Sequence, residues 1–210
     1  MTTFVAAWLF PGLYRSPVAY RAVSELGFAG YWRVWQRLSL RYVPKGLLLD
    51  LGCGMGDLTF EAAKAGWNAV GVDLSRPLLE STHRRRGGDL RPCFAECDAR
   101  ALPFLSSTID AVTVTFPSDV VCSPRVALEL HRILKPEGAV AIVLGATPRP
   151  TTAVRFALLM AQRVVYGRSA GVIPRTPPPL PFESAGFDQR YVVIERSNWA
   201  AWLVVLAKHR

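Results

Sequence analysis

The sequence predicts an α/β fold built on a mainly parallel β-sheet. The first observation is the run Leu47 to Leu51 (LLLDL), which lacks the polar alternation of a half-exposed strand and is typical of one buried on both faces. The second is the glycine turn, Gly52, Gly54 and Gly56, which directly follows this run and precedes a predicted helix. A strand, a glycine turn and a helix in this order form a nucleotide-type binding turn at the carboxyl end of a parallel strand.

The glycine turn has its own local chemistry. Glycines at alternate positions allow positive φ and let the backbone approach a ligand without an intervening Cβ. Asp57 is the predicted N-cap of a helix that runs to about Ala65, with Gly66 as its stop. Because Asp50 precedes the first glycine, the pattern is D-x-G-x-G-x-G, which differs from the G-x-G-x-x-G of dinucleotide-binding turns.

Further elements follow in an order that fits such a sheet. The run from Trp67 predicts a second buried strand that ends in Asp73, where a carboxylate can accept hydrogen bonds from both hydroxyls of a ribose. The later predicted elements are a strand at about Arg91 to Glu96, a strand at Ile109 to Phe116, a helix and turn over Arg125 to Gly138, and a strand at Ala139 to Gly145.

With its DLGCGMG run, the chain resembles the class I S-adenosylmethionine-dependent methyltransferases, in particular the small-molecule group, from about Gly46 to Gly145. The resemblance implies a Rossmann-like, mainly parallel seven-stranded sheet with helices on both faces and an N-terminal helical lid. It also implies that S-adenosyl-L-methionine is the cofactor and S-adenosyl-L-homocysteine the product, with no metal. Asp98 and Ala99 match the motif that holds the adenine amino group. The implied cofactor contacts are Asp50, Gly52, Cys53, Gly54, Gly56, Asp73, Leu74, Asp98, Ala99 and Phe116.

Positive charge is concentrated outside the predicted cofactor site. Residues 1–45 hold six Lys or Arg against one acid, and residues 146–181 hold five arginines and no acid. Each segment thus has a net charge of +5, which leaves about −1 for the other 129 residues. In the family these two segments commonly cover the substrate. We therefore expect residues 1–45 to form a lid, residues 46–210 to form the methyltransferase domain, and residues 146–181 to be a basic, Pro-rich insertion of that domain.

The N-terminal segment is also aromatic, with ten of the 22 Phe, Trp and Tyr residues of the chain. Helices are predicted at about Pro17 to Leu26 and Gly30 to Tyr42. Interleaved arginines and aromatics suit an amphipathic element that lies on anionic lipid or closes over a hydrophobic substrate. The same composition suits stacking on RNA bases. It is equally consistent with aromatics that cap the sheet beside solvated arginines.

The second basic segment divides into two parts. Thr151 to Tyr166 has helical spacing and is predicted to cover the active site. Gly167 to Pro181 contains five prolines and is predicted to be irregular, either as a gate or as an ordered loop. A short helix at Phe182 to Ala185 and strands at Phe187 to Glu195 and Trp199 to Lys208 are expected to close the fold.

Candidate catalytic residues cluster near the tip of the fourth strand, which reads TFPSDVVCSP. Many relatives carry a His-containing loop here, and its absence weakens any transfer of a substrate from family members such as the quinone or sterol methyltransferases. Asp119 is the candidate base or orienting group, with capping of the following loop as the alternative, and Tyr14 and Tyr20 are further candidates from the lid. The N/D-P-P-Y/F signature of amino-directed DNA methyltransferases is absent. His83, His131 and His209 are expected to be structural or solvated.

The preferred function is methyl transfer to a small or lipid-like acceptor, and peripheral contact with an anionic membrane is favoured over a nucleic acid partner. The alternatives are an RNA or protein methyltransferase that uses the basic surface, and a non-catalytic protein that binds S-adenosylmethionine. Cys53, Cys93, Cys97 and Cys122 lack a strong zinc spacing and are expected to be free thiols. No apolar run reaches bilayer length, and the N-terminus lacks a basic leader, so we expect a cytoplasmic protein.

Overall fold

The computed structural model describes residues 16–26, 30–84, 92–149, 156, 160 and 174–209. The strands are β1 (Leu47–Leu51), β2 (Asn68–Asp73), β3 (Cys93–Glu96), β4 (Ile109–Thr115), β5 (Leu134–Pro148), β6 (Phe187–Glu195) and β7 (Trp199–Lys208). The α-helices are α1 (Pro17–Leu26), α2 (Trp32–Leu38), α3 (Asp57–Lys64), α4 (Arg76–Arg84) and α5 (Pro124–Ile133). Short 3₁₀ turns cover Ser39–Arg41, Asp119–Cys122 and Glu183–Ala185.

The seven strands form one sheet in the order β3-β2-β1-β4-β5-β7-β6. Strands β1 to β5 pair in parallel, and β7 runs antiparallel to both of its neighbours. The strand order reverses direction between β1 and β4, and ligands of open α/β sheets bind in the crevice at the carboxyl ends of the strands at such a switch point. This topology confirms the predicted Rossmann-like, mainly parallel sheet and places the glycine turn at the switch point.

Apolar side chains cover both faces of the sheet. On one face, Leu49 and Val112 are fully buried in a cluster that includes Leu130 of α5. On the other, Leu48 packs in a cluster with Ala62 of α3. A third cluster joins helix α2 to strands β5 and β7, and its fully buried or nearly buried members are Trp35, Leu38, Val143, Ile194, Trp199, Ala201 and Leu203. Helices therefore cover both faces, as predicted.

Asp57 is not the N-cap of helix α3, which corrects the sequence prediction. The helix begins at Asp57, and the residue before it, Gly56, has a φ of 72°. Glycine adopts this left-handed backbone at little cost, whereas a side chain at the cap would be strained there. Asp57 instead lies in the first turn, where a carboxylate is favourable beside the helix N-terminus. Gly66, with a φ of 91°, does follow the end of the helix as predicted.

Other boundaries differ by a few residues. Strand β4 ends at Thr115 because Phe116 takes a φ of 51° and leaves the extended conformation. Strand β5 extends beyond the predicted Ala139 to Gly145 in both directions, with a register shift opposite β7 between Val143 and Gly145. The predicted strands from Leu47, Phe187 and Trp199 have the observed bounds.

The basic segment 146–181 is described in part. The predicted helix Thr151 to Tyr166 lies outside the described residues except for Phe156 and Met160, both of which are helical. From Pro174 to Pro181 the backbone is irregular, as the prolines predict. Within the described ranges, no helix is long and apolar enough to cross a membrane.

Candidate functional site

The glycine turn is held against strand β2 by backbone hydrogen bonds. Gly52, Gly54 and Gly56 have φ values of 75°, 55° and 72°. The N–H groups of Gly52 and Cys53 both donate to the carbonyl oxygen of Val72, at 2.8 and 3.0 Å. The turn therefore needs left-handed glycines at three alternate positions. Its hydrogen bonds to the end of strand β2 fix its path.

Asp73, at the end of β2, ties the turn to the loop that follows it. Its Oδ2 accepts a hydrogen bond from the backbone N–H of Gly54 at 2.7 Å. Its Oδ1 accepts one from Ser75 N–H, also at 2.7 Å. Burial raises the pKa of Asp73, while the backbone donors oppose that shift. Because each carboxylate oxygen can accept more than one hydrogen bond, this side chain has acceptor capacity left for two ribose hydroxyls.

Asp50 lies beneath the turn as a buried carboxylate with hydroxyl partners. Its side chain accepts hydrogen bonds from Thr59 Oγ1 at 2.7 Å and Thr113 Oγ1 at 3.2 Å. Burial raises the pKa of Asp50 to about 6, although the two threonines lower it. The sequence prediction missed both threonines. These hydrogen bonds connect β1 to α3 and β4, and Asp50 supports the turn from its buried side.

Cys53 and Gly56 also pack against the protein interior. Cys53 is 7% exposed, and burial raises the pKa of its thiol well above the usual value. A Cβ on Gly56 would lie 2.6 Å from the ring of Phe94 and 3.0 Å from Thr82, so a side chain cannot fit there without displacement. These two residues therefore shape the turn through packing.

The edge of the predicted adenine site is more exposed. Leu74 is 64% exposed. Asp98 accepts hydrogen bonds from the backbone and guanidinium of Arg100, and these lower the pKa of its carboxyl to about 2. Ala99 packs against the main core. The structure thus places a carboxylate acceptor and an apolar side chain next to one another beyond the end of β3.

Helix α1 brings Tyr20 over the glycine turn. A Cβ built on Gly54 would lie 3.0 Å from the Tyr20 hydroxyl oxygen and 3.3 Å from its ring carbon Cζ. The helix also packs against α4, which follows β2. Tyr20 therefore lies at the predicted cofactor site, whereas Tyr14 lies outside the described residues.

Phe116 forms an aromatic wall with helix α2 at the tip of β4. Its ring stacks on Trp32, with centroids 4.2 Å apart and planes at 20°, and lies 6.2 Å from the ring of Trp35. Its N–H donates to Val143 O at 2.9 Å. A left-handed phenylalanine costs of the order of 1–3 kcal/mol, and such strain is concentrated at functional sites. The aromatic richness of the N-terminal segment was the sequence signal for this wall, but the pairing partner was not predictable.

A groove of about 490 Å³ opens near the ends of β4 and β5, next to the Pro-rich segment. Asp119 lies in its lining and is exposed, and within the part of the chain that the structure describes its carboxylate has no hydrogen-bond partner. It therefore does not cap the following loop there. The remaining lining is mostly apolar or small: Pro117, Ser118, Val121, Cys122, Leu144, Pro174, Thr176, Pro177, Pro178, Pro179, Leu180 and Trp202.

The histidines have structural surroundings. His131 packs edge-on against Phe187, with ring centroids 5.3 Å apart, and burial lowers its pKa. Nδ1 of His209 lies 2.7 Å from a carboxylate oxygen of Asp188. The side chain of His83 lies outside the described residues. No group of three or more His, Cys, Asp or Glu side chains suited to a metal occurs among the residues with described positions.

The strand order and the glycine turn at the switch point define a Rossmann-like protein with a nucleotide-type site. The family described as "Methyltransferase domain" matches residues 48–138. The demethylmenaquinone methyltransferase of Symbiobacterium thermophilum is 32% identical over 177 residues, which cover 75% of this chain and 70% of that protein. The corresponding protein of Clavibacter sepedonicus is 39% identical over 125 residues, or 59% of this chain and 51% of that protein. This chain thus spans about half the length of the Clavibacter relative.

A solved structure of phosphoethanolamine N-methyltransferase 2 from Haemonchus contortus, in complex with phosphomonomethylethanolamine and S-adenosylhomocysteine, shares the fold. Its TM-score is 0.67 at 18% identity, and the match covers 99% of this chain and 61% of that one. The chain belongs to the class I S-adenosylmethionine-dependent methyltransferases. This membership confirms the resemblance inferred from the DLGCGMG motif.

Proposed function

We propose that this chain is an active methyltransferase that transfers a methyl group to a small, lipid-like acceptor with an ionisable hydroxyl or an activated ring carbon. The observation that carries the proposal is the groove at the tips of β4 and β5. It combines a mostly apolar lining with one carboxylate that has no hydrogen-bond partner among the described residues. The demethylmenaquinone methyltransferases, whose names indicate a quinone-like acceptor, are the relatives that support this acceptor class.

The residues of the glycine turn fit an adenosyl cofactor. Among the residues that the structure describes, nothing lies within 4 Å of a Cβ built on Gly52, which leaves room for a ligand beside the turn at the switch point. In this proposal Asp73 holds the ribose hydroxyls, Asp98 and Ala99 hold the adenine, and Leu74 covers it. When bound, S-adenosylmethionine supplies a methyl group that is already activated by its sulfonium.

The chain's own residues then have separate tasks. Asp119 accepts the proton of the acceptor or orients its hydroxyl, which is the contribution expected of a positioned general base. Phe116 and Trp32 exclude water from the space beside the glycine turn. Tyr20 closes that space from the side of helix α1. Because the donor is activated, positioning of the acceptor supplies a large share of the rate.

The lid assignment and membrane contact belong to the same proposal. Residues 1–45 and 146–181 form the lid over the acceptor, and their net charge of +5 each favours an anionic surface. A lipid-like acceptor resides in a membrane, so a peripheral contact shortens the path to the groove. A small or lipid-like acceptor remains favoured over nucleic acid.

The test is methyl transfer from radiolabelled S-adenosylmethionine to a panel that contains a soluble naphthoquinol, a short-chain phenol, anionic lipid vesicles and RNA. The expected result is labelling of the quinol or phenol, and Asp119→Asn lowers that labelling while S-adenosylhomocysteine still binds. Labelling of RNA alone would overturn the acceptor class. Cofactor binding without labelling of any substrate would favour a non-catalytic binding protein.

A further inference from the structure

A basic pocket lies on the side of helix α2 that faces away from the aromatic wall. Its volume is about 210 Å³, below the range of about 300–1,000 Å³ typical of pockets for drug-sized ligands. Such a pocket suits a compact charged group. Its lining consists of Val34, Arg37, Leu38, Arg41, Arg196 and Trp199.

The pocket is formed by one face of helix α2 with its 3₁₀ extension and by the turn between β6 and β7. Val34, Arg37, Leu38 and Arg41 are spaced at i, i+3, i+4 and i+7, so they share one face of α2 and its 3₁₀ extension. Arg196 comes from the β6–β7 turn. Because Trp199 pairs with Pro148, the last residue of β5, this turn lies at the carboxyl edge of the sheet.

The charges in the pocket are not cancelled. Arg37 forms a two-point ion pair with Glu61, which raises the pKa of its guanidinium. Arg41 and Arg196, by contrast, have no carboxylate within 4.0 Å in the described part of the chain. Glu195, which directly precedes Arg196 in the sequence, is already paired with Arg149. Of the three arginines that line the pocket, two therefore have no carboxylate partner among the described residues.

One of the two arginines is already oriented. Nη1 of Arg196 donates to the carbonyl oxygen of Glu195 at 3.0 Å, and its guanidinium carbon lies 6.0 Å from the Trp199 ring centroid. Trp199 is 8% exposed and forms a firm floor. Arginine forks match the oxygens of a phosphate group with two-point geometry, and a partly fixed fork loses less entropy on binding.

We propose that Arg41 and Arg196, over Trp199, form a binding site for a phosphate group, presented either by an anionic phospholipid or by a free phosphate compound. The site is separate from the acceptor groove, because Trp199 and Trp202, which line the pocket and the groove, point to opposite faces of the sheet. It does not depend on the chain being catalytically active. It adds a defined anion site to the diffuse positive charge of the lid.

The test compares Arg41→Gln/Arg196→Gln with a control of equal charge change, Arg125→Gln/Arg190→Gln, whose residues are exposed and outside the pocket. One arm titrates glycerol phosphate and inorganic phosphate by phosphorus NMR. The other measures sedimentation with phosphatidylglycerol-containing and pure phosphatidylcholine vesicles at one fixed salt concentration. Unchanged Tm and S-adenosylhomocysteine affinity show that each variant is folded.

The expected result is that the pocket variant binds phosphate at least about tenfold more weakly, while the control binds like the wild type. A parallel loss on phosphatidylglycerol vesicles identifies the lipid as the source, and a loss confined to the soluble phosphates identifies a free compound. Equal losses in the two double variants, or none in the pocket variant, would overturn the proposal. Labelling of a soluble acceptor, measured alongside, reports separately on methyl transfer.

Discussion

Substitutions at two glycines of the turn can test whether helix α1 lies over the cofactor site. Gly52 and Gly54 both have left-handed backbones, so alanine at either position costs about 1–2 kcal/mol. Their surroundings differ. No described atom lies within 4 Å of a Cβ at Gly52, whereas a Cβ at Gly54 would lie 3.0 Å from the Tyr20 hydroxyl. Gly54→Ala should therefore carry an additional penalty that displaces α1, and Gly52→Ala is its matched control.

The additional penalty should be about 1 kcal/mol, within the range of about 0.5–3 kcal/mol for residues in contact. A penalty of this size displaces helix α1 from the turn about fivefold more often, and proteolysis follows the open population when reclosing is fast. We expect trypsin to cleave at Arg21 of α1 about fivefold faster in Gly54→Ala than in Gly52→Ala. In a Tyr20→Phe background this excess should shrink, because the closest atom is gone.

Equal cleavage rates at Arg21 in the two glycine variants would refute the placement of Tyr20 over the turn. An excess that persists unchanged in the Tyr20→Phe background would refute the contact with the hydroxyl. Loss of S-adenosylhomocysteine binding in both glycine variants would not bear on the lid, because it follows from strain in the turn itself.

Three carboxylates give the remaining predictions. Asp73→Ala should weaken S-adenosylhomocysteine binding by about 1.5–3 kcal/mol, the range for hydrogen bonds to charged groups, and unchanged calorimetric affinity would remove Asp73 from the site. Asp119→Asn should lower kcat about 100-fold or more with unchanged cofactor affinity, whereas the neighbouring Ser118→Ala should leave kcat close to that of the wild type. Equal losses of kcat in the two variants would show that the loop has only a structural role. Asp50 has a folded-state pKa of about 6, above its ordinary value of about 3.9, so its stabilising contribution is full below pH 3.9 and is lost as pH rises through 6. The unfolding free energy of wild type minus that of Asp50→Asn should therefore fall by about 2 kcal/mol between pH 4 and 7 in urea titrations, and a constant difference would contradict the raised pKa.

Local sequence patterns predicted the strands well where an apolar run ends at a glycine or an acidic residue. Strand β1 ends at Leu51, directly before Gly52, and β2 ends at Asp73, so the predicted and observed strand ends coincide. The same patterns misplaced the helix cap at Asp57, because the left-handed backbone of Gly56 depends on the path of the whole turn. Backbone conformation at such a junction is set by the strand on one side and the helix on the other, and residue type alone does not reveal it.

Contacts between distant segments were beyond the sequence. Asp50 was predicted as a cofactor contact, but its partner Thr113 stands opposite it only because β1 and β4 are neighbours in register. The ring of Phe116 stacks on Trp32, which comes from a helix far away in the chain. The groove depends on Trp202, which fits against β5 only because Gly145 opposite it has no side chain. Each contact joins elements that are distant in the sequence.

Helix α2 links the features at the carboxyl edge of the sheet. Trp32 and Trp35 on one side meet Phe116, while Arg37 and Arg41 on the other side line the basic pocket. Trp35 and Trp199 belong to one packed cluster, so the wall and the floor of the pocket share a core. A phosphate bound in the pocket would hold α2 against the sheet, and with it the aromatic wall. Phosphate should accordingly protect the α2 amides from hydrogen exchange in the wild type and not in Arg41→Gln/Arg196→Gln.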